Sequence, residues 1–139
     1  MQIRPLVDGL SVSPQLEAAD LAALAALGFR SVINNRPDHE EPNQPLSASL
    51  KDAAAEAGLA YRELPVVSGQ VTDEQAAAFG EVLEQSPGPV LAFCRTGTRS
   101  TTLWALNAAR RGAAVDGILA TAAKAGYDLT ALRGRLEQA

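Results

Sequence analysis

Between the turn-forming run Ser86-Pro87-Gly88-Pro89 and Cys94 stand four apolar residues, Val90-Leu91-Ala92-Phe93, with no polar residue alternating among them. A half-solvated strand alternates apolar with polar positions. A run without alternation needs cover on both faces, which is the condition of an inner strand in a parallel sheet. Parallel neighbours can be joined only by long crossovers, so this run asks the rest of the chain for helices on both sides.

The chain supplies them. Ser13 with Pro14 behind it reads as a helix start, Leu21, Leu24 and Leu27 keep an i+3 stripe, and Gly28 ends the segment before the strand Ser31-Val32-Ile33-Asn34. A second helix passes through Leu50 and Ala53 to Ala57, stops at Gly58, and leads into β-type residues from Leu59 to Leu64. A third opens at Thr72, where Gln75 completes the spacing of a capping box, and runs to about Gln85. Leu103 to Arg110 predicts another helix after the apolar run, and the alanine-rich C-terminal segment one or two more. The expectation is an α/β fold of three layers, α-β-α, with a mainly parallel sheet in one domain spanning residues 1–139. At this length a chain buries about two-thirds of the surface its unfolded form exposes, so disulfides and structural metals are unnecessary.

Composition narrows the function. Twelve basic against sixteen acidic side chains give a net charge of −4, which argues against a nucleic-acid footprint. One cysteine excludes an internal disulfide, and with a single histidine, His39, the usual zinc ligand sets cannot be assembled, so neither metal nor cofactor is expected. No apolar run approaches the roughly eighteen residues of a membrane span, and the N-terminus lacks a secretory apolar core. The default expectation is a cytoplasmic protein whose Cys94 stays a free thiol.

Position makes that cysteine informative. Phe93-Cys94-Arg95-Thr96-Gly97-Thr98-Arg99-Ser100 lies between a buried strand and a helix, where loop amides and a helix N-terminus create positive potential that favours a thiolate. Cys94 is the candidate nucleophile. Successive amides of Arg95, Thr96, Gly97, Thr98, Arg99 and Ser100 can converge on an oxyanion, Gly97 permits the positive φ that closes the turn, and Arg99 can bind bidentately. Ser100 can cap the helix or donate to the sulfur.

These residues resemble the phosphate-binding loop of cysteine-dependent protein tyrosine and dual-specificity phosphatases, His-Cys-x5-Arg followed by Ser or Thr. More closely, Leu10-Ser11-Val12-Ser13-Pro14-Gln15, Ser31-Val32-Ile33-Asn34-Asn35-Arg36-Pro37-Asp38 and the Cys94 loop together resemble a bacterial family. It is the phosphatase-like domain found alone, or fused to a metallo-β-lactamase-like hydrolase domain in beta-lactamase hydrolase-like proteins. The resemblance extends from Leu10 to about Ala125. It implies a fold like that of phosphotyrosine phosphatase II, a phosphorylated small molecule or protein as substrate, and no cofactor. Two departures stand out: Phe93 replaces the histidine, removing one device for orienting the loop, and four residues rather than five separate Cys94 from Arg99.

The shorter spacing also resembles rhodaneses, whose cysteine carries a persulfide taken from a sulfane-sulfur donor. Their upstream motifs are only partly echoed, by Asn35-Arg36-Pro37-Asp38-His39-Glu40. A third reading is a non-catalytic module that recognises a phosphorylated ligand. By the phosphatase resemblance a general acid should come from another loop, and Asp73 and Asp38 are the choices. Asp73 is equally explained as an anion in a helix's first turn, and Asp38 as a turn residue. Arg36 is a candidate anion ligand or a surface ion pair, His39 reads as a solvated loop residue, Trp104 as core, and Arg133 and Arg135 as a solvated helix face.

Overall fold

The computed structural model describes residues 1–139. Five four-residue strands, β1 (Arg4–Val7), β2 (Leu10–Ser13), β3 (Ser31–Asn34), β4 (Ala60–Glu63) and β5 (Val90–Phe93), form a sheet in the order β1-β2-β5-β3-β4. Only β1 runs antiparallel, to β2; the other pairings are parallel. The apolar run is β5, the middle strand, and all four of its residues are buried.

The helices are α1 (Ala18–Ala26), α2 (Ser47–Ala57), α3 (Asp73–Gln85), α4 (Thr98–Arg110), α5 (Val115–Lys124) and, after a 3-10 turn at Thr130–Leu132, α6 (Arg133–Glu137). Side chains leave a strand on alternate faces, so β5 feeds two cores. Val90 and Ala92 join the core that takes in Phe79 of α3, Leu103 and Leu106 of α4 and Ile118 of α5. Leu91 and Phe93 join the other, with Leu21 and Leu24 of α1 and Leu50 and Ala54 of α2. This is the three-layer α-β-α arrangement with a mainly parallel sheet.

Two elements differ from the sequence reading. Ser13 does not start a helix: it pairs with Phe93 as the last residue of β2, and α1 begins four residues beyond Pro14, where the Glu17 N–H donates to the Asp20 carboxylate at 2.8 Å. The ladder holds Ser13 extended, and a residue fixed by pairing on its neighbour cannot also turn the chain. The strands β1 and β2 were not foreseen; they form a hairpin around Asp8-Gly9, with Gly9 at φ +83°. Gly58 in the left-handed conformation ends α2, and Thr72 and Gln75 make the reciprocal capping bonds of α3, as read from the sequence.

Parallel strands point their C-terminal ends the same way. β3 and β5 are neighbours, and their C-terminal ends deliver Asn35 and Cys94 to one rim, where the Asn35 N–H extends the ladder to the Phe93 carbonyl at 2.8 Å.

Candidate active site

Cys94 leaves β5 buried, 1% exposed, and the Gly97 N–H donates to its Sγ at 3.1 Å. Gly97 stands at φ +96° immediately before α4, a left-handed conformation that glycine takes without strain. The helix therefore starts at Thr98, five residues earlier than the apolar pattern alone suggests, and Arg99 and Ser100 sit in its first turn. First-turn amides have no helical acceptor. Those of Arg99 and Ser100 thus add donors, together with the positive end of the helix dipole, beside the thiol.

Arg99 is buried, with three of its five guanidinium protons bonded. Its Nη1 and Nη2 fork the Glu40 carboxylate at 2.7 and 2.9 Å, and Nη1 also reaches the Val66 carbonyl at 2.9 Å. Glu40 lies in the loop that follows β3, and a second buried cation, Arg36, donates to it through Nε at 2.7 Å. Arg36 further binds Glu41 at 2.9 Å and the Gln15 side chain at 3.0 Å, and Arg95 pairs with Glu41 at 2.8 Å. Three arginines thus converge on two carboxylates of one loop. The Arg99 fork, aided by Arg36 and opposed by partial burial, holds the Glu40 carboxyl at about 2, well below its ordinary 4.5. Glu40 is an anion throughout the neutral range.

Ser100 neither caps α4 nor donates to the sulfur. Its Oγ donates to Asn35 Oδ1 at 2.7 Å, and Asn35 Nδ2 donates to the Leu64 carbonyl at 2.9 Å. This buried Asn35 link ties the loop after β3 to α4, and the side chain is 0% exposed. Thr101 Oγ1 donates to the Gly97 carbonyl at 2.8 Å, and the Tyr127 hydroxyl to the Thr96 carbonyl at 2.9 Å.

The two aspartates have other partners. Asp38 Oδ1 accepts the Ser47 N–H at the start of α2 at 2.8 Å. Asp73 lies in the first turn of α3, exposed, and pairs with Arg135 at 3.0 Å. Neither is brought into a contact with Cys94 or Arg99. His39 is exposed, with φ +67°, next to Glu40. Arg36, a candidate anion ligand or surface ion pair by sequence, is a buried buttress that binds Glu40 and Glu41 of the loop and the Gln15 side chain after β2.

Beside the Cys94 loop opens a cavity of about 390 Å³, walled by Arg95, Thr96, Thr98 and Arg99 on one side and by Leu129, Leu132 and Arg135 on the other. Arg135 is thus part of this wall rather than only a solvated helix face. Glu40, Asn35 and Tyr127 were missed as site residues because their contacts join positions 59, 65 and 31 apart. The Asn34-Asn35-Arg36 run was the signal for Asn35, and the acidic pair Glu40-Glu41 in the long loop after a strand end was the signal for Glu40, otherwise readable as a solvated connection, while Tyr127 carried none.

Residues 2–111 match the phosphatase-like domain of the beta-lactamase hydrolase-like proteins. A beta-lactamase hydrolase-like protein of Agrobacterium fabrum is 42% identical over 108 residues, covering 78% of this chain and 24% of that protein. The chain spans about a quarter of the length of the curated relatives it matches. A crystal structure of a Neisseria meningitidis protein superposes with a TM-score of 0.91 at 39% identity, covering 99% of this chain and 98% of that one. Pseudomonas aeruginosa TpbA in complex with pTyr shares the fold, with a TM-score of 0.66 at 18% identity over 99% of this chain and 91% of its own. With a parallel-sheet rim that carries Cys94 and Arg99, and with this match over more than three-quarters of its length, the chain belongs to the phosphatase-like domain family of beta-lactamase hydrolase-like proteins.

Proposed function

We propose that the protein hydrolyses phosphate monoesters through a cysteinyl-phosphate intermediate on the Cys94–Arg99 loop. One observation carries this reading: the Gly97 N–H on Cys94 Sγ at the start of α4, with Arg99 one residue into the helix. A thiolate so placed attacks phosphorus, the ester oxygen leaves with the bonding pair, and a proton from solvent neutralises it. Water then attacks the phosphocysteine, releasing inorganic phosphate and restoring the thiolate. The amides of Arg99 and Ser100, the helix terminus and the Arg99 guanidinium stabilise charge on the equatorial oxygens. The family's description and the pTyr bound by TpbA support a phosphoryl ligand.

Glu40 takes one edge of the Arg99 guanidinium, through Nη1 and one proton of Nη2, and leaves Nε and the other Nη2 proton for the phosphoryl group. The substrate then binds beside a resident carboxylate on the same cation, and a bidentate hold by Nε and Nη2 needs no displacement of Glu40. With Asp38 and Asp73 engaged at helix starts, protonation of the leaving oxygen is not assigned to either. Aryl phosphates, whose phenolate leaves with a pKa of about 10, should outrun alkyl phosphates.

The reading is tested by assaying an aryl phosphate in parallel with thiosulfate plus cyanide, for the wild type and Cys94→Ser. Phosphate release that Cys94→Ser abolishes is expected. Cys94-dependent thiocyanate formation without phosphate release would replace it with sulfur transfer.

A further inference from the structure

The Thr96–Gly97 peptide is held at both ends. A trans peptide unit is a planar plate whose C=O and N–H point in opposite directions, so fixing one end aims the other. Here the N–H end donates to Cys94 Sγ at 3.1 Å, and the C=O end accepts from the Tyr127 hydroxyl at 2.9 Å. Were the plate turned over, the sulfur would face a carbonyl oxygen, whose dipole opposes a thiolate.

Tyr127 is itself anchored from the opposite direction. It follows α5, is 7% exposed, and its N–H returns to the Ala122 carbonyl at 2.9 Å. Arg4 of β1 places its guanidinium 5.4 Å from the ring centroid and donates to the Ala125 carbonyl at 3.0 Å. Burial, partly offset by Arg4, raises the hydroxyl above its ordinary value of 10, so it remains a donor at neutral pH. A side chain at position 97 would collide with this hydroxyl, so Gly97 serves both the turn and the approach. The core has use for the ring alone; the hydroxyl bonds to the loop.

We propose that Tyr127 is a positioning residue for Cys94, its hydroxyl holding the Thr96–Gly97 peptide with the N–H turned onto the sulfur. It thereby orients the loop where Phe93 stands in place of the histidine. The proposal rests on reading Cys94 as the nucleophile, and it does not depend on which group the thiolate attacks.

The test is the pH–rate profile of alkylation of the sole cysteine by iodoacetamide, for the wild type, Tyr127→Phe and Tyr61→Phe, with thermal unfolding as a check on folding. Tyr61 is the other tyrosine with a hydrogen-bonded hydroxyl, placed between Asn34 and Ser47. For Tyr127→Phe the profile should move to higher pH and alkylation at neutral pH should slow about three- to tenfold, while the folded state persists and Tyr61→Phe leaves the profile in place. A wild-type profile retained in Tyr127→Phe, even with a lowered Tm, would reduce the residue to packing and overturn the proposal. An equal shift in Tyr61→Phe would also overturn it, by tracing the effect to general loosening. A wild type that resists iodoacetamide at every pH and also releases no phosphate from an aryl ester would remove the nucleophile, and the proposal with it. A Tyr127-specific shift in a protein that releases no phosphate would sustain this inference while rejecting the phosphatase reading.

Discussion

At the scale of single residues the proposed chemistry turns on the pair Arg99 and Glu40. Arg99 was legible in the sequence because its spacing from Cys94 is local; its partnership with Glu40 was not, because only the pairing of β3 with β5 brings their loops together. A carboxylate resting on the cation proposed to bind the phosphoryl group makes a signed prediction. Glu40→Gln removes the resident charge, so inorganic phosphate should inhibit it about fivefold more tightly than the wild type, equivalent to roughly 1 kcal/mol. Equal or weaker inhibition would mean that Glu40 serves Arg99 chiefly as a positioner, its hold on the guanidinium outweighing the negative charge it places there. The same pair couples folding to acid. A carboxyl whose folded value lies near 2 rather than 4.5 contributes stability that is complete above about 4.5 and is lost as the pH falls towards 2. Acid titrations of thermal stability should show this loss in the wild type and a smaller one in Glu40→Gln.

Capping decides several boundaries among the elements. Thr72 and Gln75 exchange bonds across the first turn of α3, and their spacing made that start readable. Thr72→Ala should cost about 1 kcal/mol in denaturant unfolding without altering turnover, because it touches only that turn. Ser13-Pro14 carried a helix-start pattern that the β2–β5 ladder overrides, a tertiary interaction outweighing a local preference. Asp8-Gly9 was a hairpin signal between short apolar runs that went unread. At the start of α4, Gly97→Ala meets both a positive φ and the Tyr127 hydroxyl. It should lower kcat for an aryl phosphate at least tenfold, as the loop must shift to admit a methyl group; undiminished kcat would show that the loop has slack.

The whole molecule is a sheet whose middle strand does two jobs. β5 supplies Leu91 and Phe93 to one core and Val90 and Ala92 to the other, then ends at Cys94. Its lack of alternation, together with the helical segments on either side of it in the sequence, was enough to place it in a parallel sheet covered on both faces. Leu91→Ala, at a fully buried site, should cost about 3 kcal/mol measured by urea unfolding. The rim is built from loops after β3 and β5, the start of α4 and the segment after α5, so its full membership is a property of topology and lay beyond local pattern. What the rim does turns on one covalent bond. Rapid acid quench of the protein with an aryl phosphate, followed by mass spectrometry of the peptide that carries Cys94, tests for that bond. A phosphoryl adduct on Cys94 that forms and decays with turnover is the predicted result, and phosphate release with no such adduct at any time would contradict it.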